Sequence, residues 1–124
     1  MVRFLTGAGA LLAGVMAAQP APAQGVPGRA VFTAQCAQCH SDARSRPVIV
    51  GPPLFGVIGR PAGSVAGYPY SSAMKTAGFT WTPDRLRAYL PAPRQYLPGV
   101  KMAYGGLKNP AQLNDLIAYL NTLK

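Results

Sequence analysis

The chain has 124 residues, a length that suits one small domain and leaves little room for a second. It carries 12 Lys and Arg against 3 Asp and Glu, and its formal net charge of +9 favours acidic partners. Nucleic acid is not favoured, because the basic residues do not alternate with aromatic residues that could stack on bases.

The first 23 residues have the pattern of a secretory signal peptide. Arg3 precedes an apolar run from Phe4 to Ala18, and Ala21-Pro22-Ala23 forms a small-x-small cleavage site before Gln24. The apolar run is short for a membrane span, so an uncleaved anchor is the less favoured alternative. We therefore expect residues 1–23 to be a signal peptide and residues 24–124 to form the mature domain.

The next segment predicts a helix that leads into the chain's two cysteines. Apolar residues at 3–4 spacing indicate a helix from Pro27 to roughly Gln38. Cys36, Cys39 and His40 form a C-x-x-C-H motif, which is typical of covalent haem attachment. Residues three and four apart share a helix face, so all three side chains can point towards one macrocycle. His40 would supply the proximal iron ligand.

Three other interpretations of the cysteines are weaker. A structural zinc site needs four ligands, and one C-x-x-C with one His supplies three. A thioredoxin-type redox pair follows a strand in a βαβ unit, and no such pattern precedes Cys36. A disulfide between the two cysteines would close a very short loop, which gains least from cross-linking, and it would leave His40 without a role.

The middle of the chain predicts loops. Residues 41–51 contain Arg44, Arg46 and Pro47 and lack a helical pattern. Residues 51–60, GPPLFGVIGR, hold too many prolines and glycines for a regular helix or a central strand. A long ordered loop usually wraps around something, and here we expect that to be the haem.

Four further helical segments are predicted in the second half. Ser71 caps a short helix that runs to Ala77 before Gly78, and Thr82 caps another that ends at Pro91 and Pro93. One more turn is expected from Arg94 to Leu97. The last helix begins after Asn109, with Pro110 at its first position, and has the clearest apolar stripe of the chain: Leu113, Leu116, Ile117, Leu120 and Leu123.

Five motifs together resemble those of class I cytochromes c, in particular the mitochondrial type and its bacterial periplasmic relatives. They are the helix entering CAQCH, the loop GPPLFGVIGR, Trp81 followed by a helix ending at Tyr89-Leu90, the loop YLPGVKMAYGG and the closing helix DLIAYL. The similarity runs from about Gly28 to Lys124. It implies an all-α, small cytochrome c fold of four to five short helices with long loops wrapped around one covalent haem.

The resemblance also implies roles for single residues. Cys36 and Cys39 would attach one haem c, and His40 and Met102 would be the two iron ligands. The carbonyl of Pro52 would accept the other imidazole N–H of His40. The remaining haem contacts it implies are Arg60 near the propionates, Tyr70 and Trp81 as donors to a propionate, and Tyr89 close to the methionine sulfur.

Other positions match the family's packing or depart from its pattern. Gly28, Phe32 and Tyr119 match the crossing of the first and last helices. Met74 and Val100 replace polar residues near the haem and predict a drier pocket. The basic ring around the haem edge is thinner than in the mitochondrial proteins, and the basic residues expected there are Arg94, Lys101 and Lys108.

The resemblance implies a monomeric, periplasmic one-electron carrier rather than an enzyme, because two axial ligands leave iron no open position. Its partners would be acidic surfaces of redox proteins: a quinol-oxidising complex, a terminal oxidase, a reaction centre or a dehydrogenase. Membrane contact would arise only through them unless the N-terminal segment stays uncleaved. The alternatives are an electron-transfer subunit of an enzyme complex, a peroxidase-like enzyme if Met102 detaches, and a zinc-binding module.

Overall fold

The computed structural model describes residues 7, 9–11, 13–16 and 26–124. It contains five helices: α1 Val26–Gln35, α2 Ser72–Lys75, α3 Pro83–Tyr89, α4 Pro93–Tyr96 and α5 Pro110–Leu120. Within this described part there is no strand, and one isolated antiparallel bridge joins Pro61 to Thr80. The expected all-α class is therefore confirmed.

The proposed signal peptide, residues 1–23, lies largely outside the described residues, and its assignment stays a prediction. Among the residues that are described, no helix has the length and apolar character needed to cross a membrane.

Three helices begin where side-chain caps were expected. The hydroxyl oxygen of Ser71 accepts from the backbone N–H of Met74, and that of Thr82 accepts from Arg85. The side-chain oxygen of Asn109 accepts from Gln112. Each cap satisfies one of the N–H groups that a helix leaves unpaired at its start.

Several helix boundaries differ from expectation, and α2 ends at Lys75 rather than at Ala77. Helix α1 ends at Gln35 rather than near Gln38, because the N–H of Ala37 bonds to the carbonyl of Phe32, five residues back, which breaks the i→i−4 pattern of the helix. Pro93 was expected to stop a helix, yet it is the first residue of α4. Proline fits that position, since the first N–H of a helix needs no intrahelical partner.

Helices α1 and α5 cross in close contact. A Cβ atom at Gly28 would lie 1.9 Å from the carbonyl oxygen of Asp115 and 2.5 Å from Cβ of Tyr119, so the crossing requires glycine there. The rings of Phe32 and Tyr119 pack edge to face with centroids 5.9 Å apart. The expected helix crossing is confirmed.

The loop of residues 51–60 is ordered by packing and backbone hydrogen bonds. Gly51, Pro53, Phe55 and Val57 are buried in alternation with half-buried neighbours. The N–H of Gly56 bonds to the carbonyl of Leu123 at 2.7 Å, which ties this loop to the end of the chain.

Candidate haem site

One cavity of about 490 Å³ lies between the end of α1, the 51–60 loop, helices α2 and α3, and the loop before α5. All nine residues that the sequence assigned to the site line its wall: Cys36, Cys39, His40, Pro52, Arg60, Tyr70, Trp81, Tyr89 and Met102. Residues up to 66 positions apart in the chain therefore meet around one space.

The His40 ring is fixed from two sides. Its Nδ1 and the carbonyl oxygen of Pro52 are hydrogen-bonded at 2.7 Å, so Nδ1 carries the proton and Nε2 keeps its lone pair for a metal. Gly51 packs against the ring, since a Cβ there would lie 2.5 Å from Cε1 of His40. Burial lowers the pKa of His40, although the hydrogen bond to Pro52 acts in the opposite direction. The lowered pKa favours the neutral imidazole, which is the form that binds iron.

The two cysteines stand at the edge of the cavity with free thiols. Cys36 is half-buried and Cys39 is exposed. Burial, with a smaller contribution from Cys39, raises the pKa of Cys36 to about 11. Cys36 is therefore held as a thiol rather than a thiolate, and both sulfurs lie beside the same cavity as His40.

Met102 is half-buried on the cavity wall, in the loop that follows α4. The wall holds a second methionine, Met74, which is buried on α2. Met74 and Val100 are both buried and both face the cavity, so the two departures from the family pattern lie where a drier pocket was expected.

The predicted polar residues of the wall are held by hydrogen bonds or by burial. Arg60 donates from Nη1 to the carbonyl of Pro53 at 2.9 Å. The hydroxyl oxygen of Tyr70 accepts from the N–H of Val65 at 3.1 Å. Trp81 is buried, and burial raises the pKa of Tyr89 to about 12, with a smaller effect from Tyr68.

Gly51 and Tyr68 are wall residues that sequence reasoning missed. Gly51 was read only as part of a glycine- and proline-rich loop, although its closeness to His40 depends on having no side chain. Tyr68 packs edge to face on Tyr70, with centroids 4.7 Å apart, and the Lys101 ammonium lies 4.6 Å from its ring centroid. The run Tyr68-Pro69-Tyr70 was the available signal, since both tyrosines can turn to one side of an extended segment.

Of the three basic residues expected around the haem edge, one lines the cavity wall. Lys101 lines the cavity, while Arg94 and Lys108 line a separate, smaller cleft of about 270 Å³ beside α4. The Lys108 ammonium donates to the carbonyl of Pro91. Ala103 and Tyr104 line both spaces, so Arg94 and Lys108 lie next to the cavity without lining it, and their place around the haem edge stays a prediction.

The cavity fits a large apolar macrocycle. More than half of the buried hydrophobic residues that form the core also face this space: Val57, Met74, Trp81, Leu86, Tyr89, Val100, Leu116 and Leu120. A core with so much of its surface around a cavity needs a filling group to complete its packing. Imidazole, thioether and two free thiols are the donor set that an attached haem uses. Among the described residues, no three His, Cys, Asp or Glu side chains cluster as a metal site.

Comparisons with known proteins agree on one family. A family model described as "Cytochrome c" matches residues 25–124. The chain is 48% identical over 93 residues to a cytochrome c of Cochliobolus lunatus, covering 75% of this chain and 86% of that protein. It is also 48% identical to a cytochrome c of Arabidopsis thaliana, covering 75% and 83%. A cytochrome c2 of Rhodopila globiformis is 45% identical over 103 residues, covering 83% and 96%.

Proposed function

Because the chain belongs to the cytochrome c family, we propose that it is an exported one-electron carrier whose haem iron is ligated by His40 and Met102. Members of the family are electron carriers rather than enzymes and act with redox partner proteins. Their cofactor is haem c, held covalently through two cysteines, which in this chain are Cys36 and Cys39. When bound, this group supplies iron that gains and loses one electron.

The observation that carries the proposal is the meeting of both ligand candidates in one cavity. His40 and Met102 lie 62 positions apart in the chain, yet both line the same wall. His40 offers Nε2 because Pro52 holds Nδ1. A packed methionine without a ligand role would have little reason to lie in a Gly/Pro loop at the cavity surface.

The chain's own residues favour electron transfer over substrate chemistry. His40 would hold the iron through a nitrogen and Met102 through a sulfur, which would leave no position for an exchangeable ligand. Sulfur is a soft donor and favours the reduced metal, and the apolar wall that includes Met74 and Val100 disfavours extra charge. Both effects raise the reduction potential.

The site of action is proposed from the N-terminal sequence. Arg3, the apolar run and Ala21-Pro22-Ala23 are typical of export, which favours the periplasm of a bacterium. There the carrier would move electrons between membrane complexes of respiration or photosynthesis, or to and from a periplasmic dehydrogenase. Its partners would present acidic surfaces, since the formal charge of +9 falls only to +8 when residues 1–23, with Arg3, are removed.

Covalent attachment and reversible one-electron behaviour test this function together. We expect protein matured in a bacterial periplasm to keep its pigment through acid–acetone extraction and to titrate as a single one-electron couple. The variant Cys36→Ala/Cys39→Ala, made in the same host, is the matched control and should lose its pigment. Pigment that leaves the wild-type protein on extraction, or iron that does not cycle between two states, would overturn the proposal.

A further inference from the structure

An apolar tip, formed by Val48, Ile49 and Val50, stands exposed beside the haem cavity. The exposed fractions of these residues are 45%, 52% and 68%. Among the residues that the structure describes after position 26, these three are the large hydrophobic residues with exposed side chains. Scattered exposed apolar residues are ordinary, whereas three consecutive ones form a patch that a binding partner can cover.

The apolar tip is held in position by backbone hydrogen bonds at both ends. The N–H of Gly51 bonds to the carbonyl of Cys39 at 2.7 Å, and the N–H of Ile49 bonds to the carbonyl of Gly51 at 3.2 Å. On the other side, the N–H of Arg46 bonds to the carbonyl of Ala43 at 2.9 Å. A segment fixed in this way loses little conformational entropy when a partner binds it.

Positive charge flanks the apolar tip. The guanidinium carbons of Arg44 and Arg46 lie 5.4 and 5.6 Å from the ring centroid of Phe55, so both cations are anchored next to the tip. The nearest acid in the sequence, Asp42, accepts a hydrogen bond from the hydroxyl of Tyr119. The surroundings of the apolar tip therefore favour an anionic counterpart.

The apolar tip also reaches the edge of the haem site. Val50 lines the cavity although it is mostly exposed. The cavity wall includes six exposed residues in all: Gln35, Gln38, Cys39, Val50, Lys101 and Ala103. Only Lys101 among them is charged, so the rim itself is nearly neutral. A partner that covers Val50 would therefore lie at the exposed rim of the haem cavity.

We propose that the apolar tip is the contact by which a redox partner protein docks, and that this partner presents an apolar patch bordered by carboxylates. The inference rests on the proposed electron-carrier function. A partner protein is favoured over a lipid surface because the apolar tip has no aromatic residue of the kind that anchors segments at membrane interfaces. Apolar contact at the centre with charge around it is the usual arrangement of a protein interface.

The proposal separates two contributions to docking. Contact made by Val48, Ile49 and Val50 depends little on salt, whereas attraction by Arg44 and Arg46 weakens as ionic strength rises. Docking should therefore keep a salt-resistant component that a purely electrostatic surface lacks.

Voltammetry on gold coated with defined alkanethiol layers measures both components. One layer carries carboxylate and methyl ends, as the proposed partner would, and a second carries carboxylate and hydroxyl ends. On the mixed methyl layer at high salt, we expect Val48→Ser/Ile49→Ser/Val50→Ser to adsorb at least about tenfold more weakly than the wild-type protein. Arg44→Gln/Arg46→Gln should weaken adsorption mainly at low salt. The double variant Ala111→Ser/Ala118→Ser, on the exposed face of α5, is the matched control.

The outcomes distinguish the inference from the function it rests on. A wild-type protein with no electron exchange on either layer would reject the electron-carrier function. Normal exchange with equal adsorption of the wild-type and triple-Ser proteins would reject only the apolar tip. Binding to vesicles of phosphatidylcholine and phosphatidylglycerol that the triple-Ser variant loses, with unchanged adsorption on the methyl layer, would assign the tip to membranes and overturn the inference.

Discussion

The hydroxyl of Tyr104 donates a hydrogen bond to Oε1 of Gln35, with 2.8 Å between the two oxygens and 69 positions between the residues in sequence. Gln35 is the last residue of α1 and directly precedes Cys36, while Tyr104 lies two residues after Met102. Both bonded residues line the haem cavity. The hydrogen bond therefore joins the segment that carries the covalent attachment to the loop that carries the proposed sulfur ligand.

Removing this bond should loosen the Met102 loop. For Tyr104→Phe we expect a loss of about 1 kcal/mol, the net worth of one hydrogen bond. The fraction of molecules with Met102 detached should then rise about fivefold. Imidazole binds the iron position that Met102 leaves. Titration with imidazole should therefore show an affinity about fivefold higher than that of the wild-type protein.

Tyr119→Phe is the matched control for that titration. It removes a hydroxyl that donates to Asp42, and Tyr119 is not part of the cavity wall. Its imidazole affinity should equal that of the wild-type protein. An unchanged affinity in Tyr104→Phe would show that the bond to Gln35 does not hold the loop.

Replacing Met102 tests the proposed iron ligand directly. Met102→Ala should keep the haem, because Cys36 and Cys39 are untouched, and should lower the reduction potential on the order of 0.1 V, because the soft sulfur is lost. Redox titration measures the shift. Met74→Ala removes the other methionine of the wall and should change the potential far less. A potential retained in Met102→Ala would reject it as the ligand.

The helix crossing offers a stability test. A Cβ at Gly28 would overlap backbone atoms of Asp115, which cannot move aside as a flexible side chain can. Gly28→Ala should lower the free energy of unfolding by about 2–3 kcal/mol, as overpacking does. Gly105→Ala is the control, since a Cβ there meets nothing within 4 Å. Denaturant titration compares the two, and equal midpoints would contradict the crossing.

The haem-free chain should not fold. More than half of its buried hydrophobic residues surround the cavity, so the apolar contacts that remain cannot offset the conformational entropy of ordering about a hundred residues. Circular dichroism of Cys36→Ala/Cys39→Ala, purified without haem, should show little helix and no cooperative melt. A sharp thermal transition in that protein would contradict this expectation.

The sequence predicted those features that depend on neighbours in the chain. Thr82 and Asn109 were identified as caps because a cap bonds to the backbone only three residues away. The C-x-x-C-H motif is equally local. The family resemblance, now confirmed, supplied the residues that lie far apart, such as Pro52 and Met102.

Contacts between residues that lie far apart in the sequence were not predicted. Nothing near Gly51 in sequence indicates that its missing Cβ makes room for His40. Nothing near Lys108 in sequence indicates that its ammonium donates to the carbonyl of Pro91. The bond between Tyr104 and Gln35 likewise depends on where two distant loops meet.

Alkaline pH should destabilise the fold through Tyr89. Burial raises its pKa to about 12 from an ordinary value of 10.0, so the folded state favours the neutral phenol. The free energy of unfolding is unaffected by the ionisation of Tyr89 below pH 10 and decreases as the pH rises towards 12. The reason is that Tyr89 loses its proton at a lower pH in the unfolded state than in the folded state. Unfolding of Tyr89→Phe should release one proton fewer between pH 10 and pH 12. Its free energy of unfolding should therefore fall less steeply with pH in that range. Denaturant titrations at several pH values measure it, and an unchanged slope would show that Tyr89 ionises equally easily in both states.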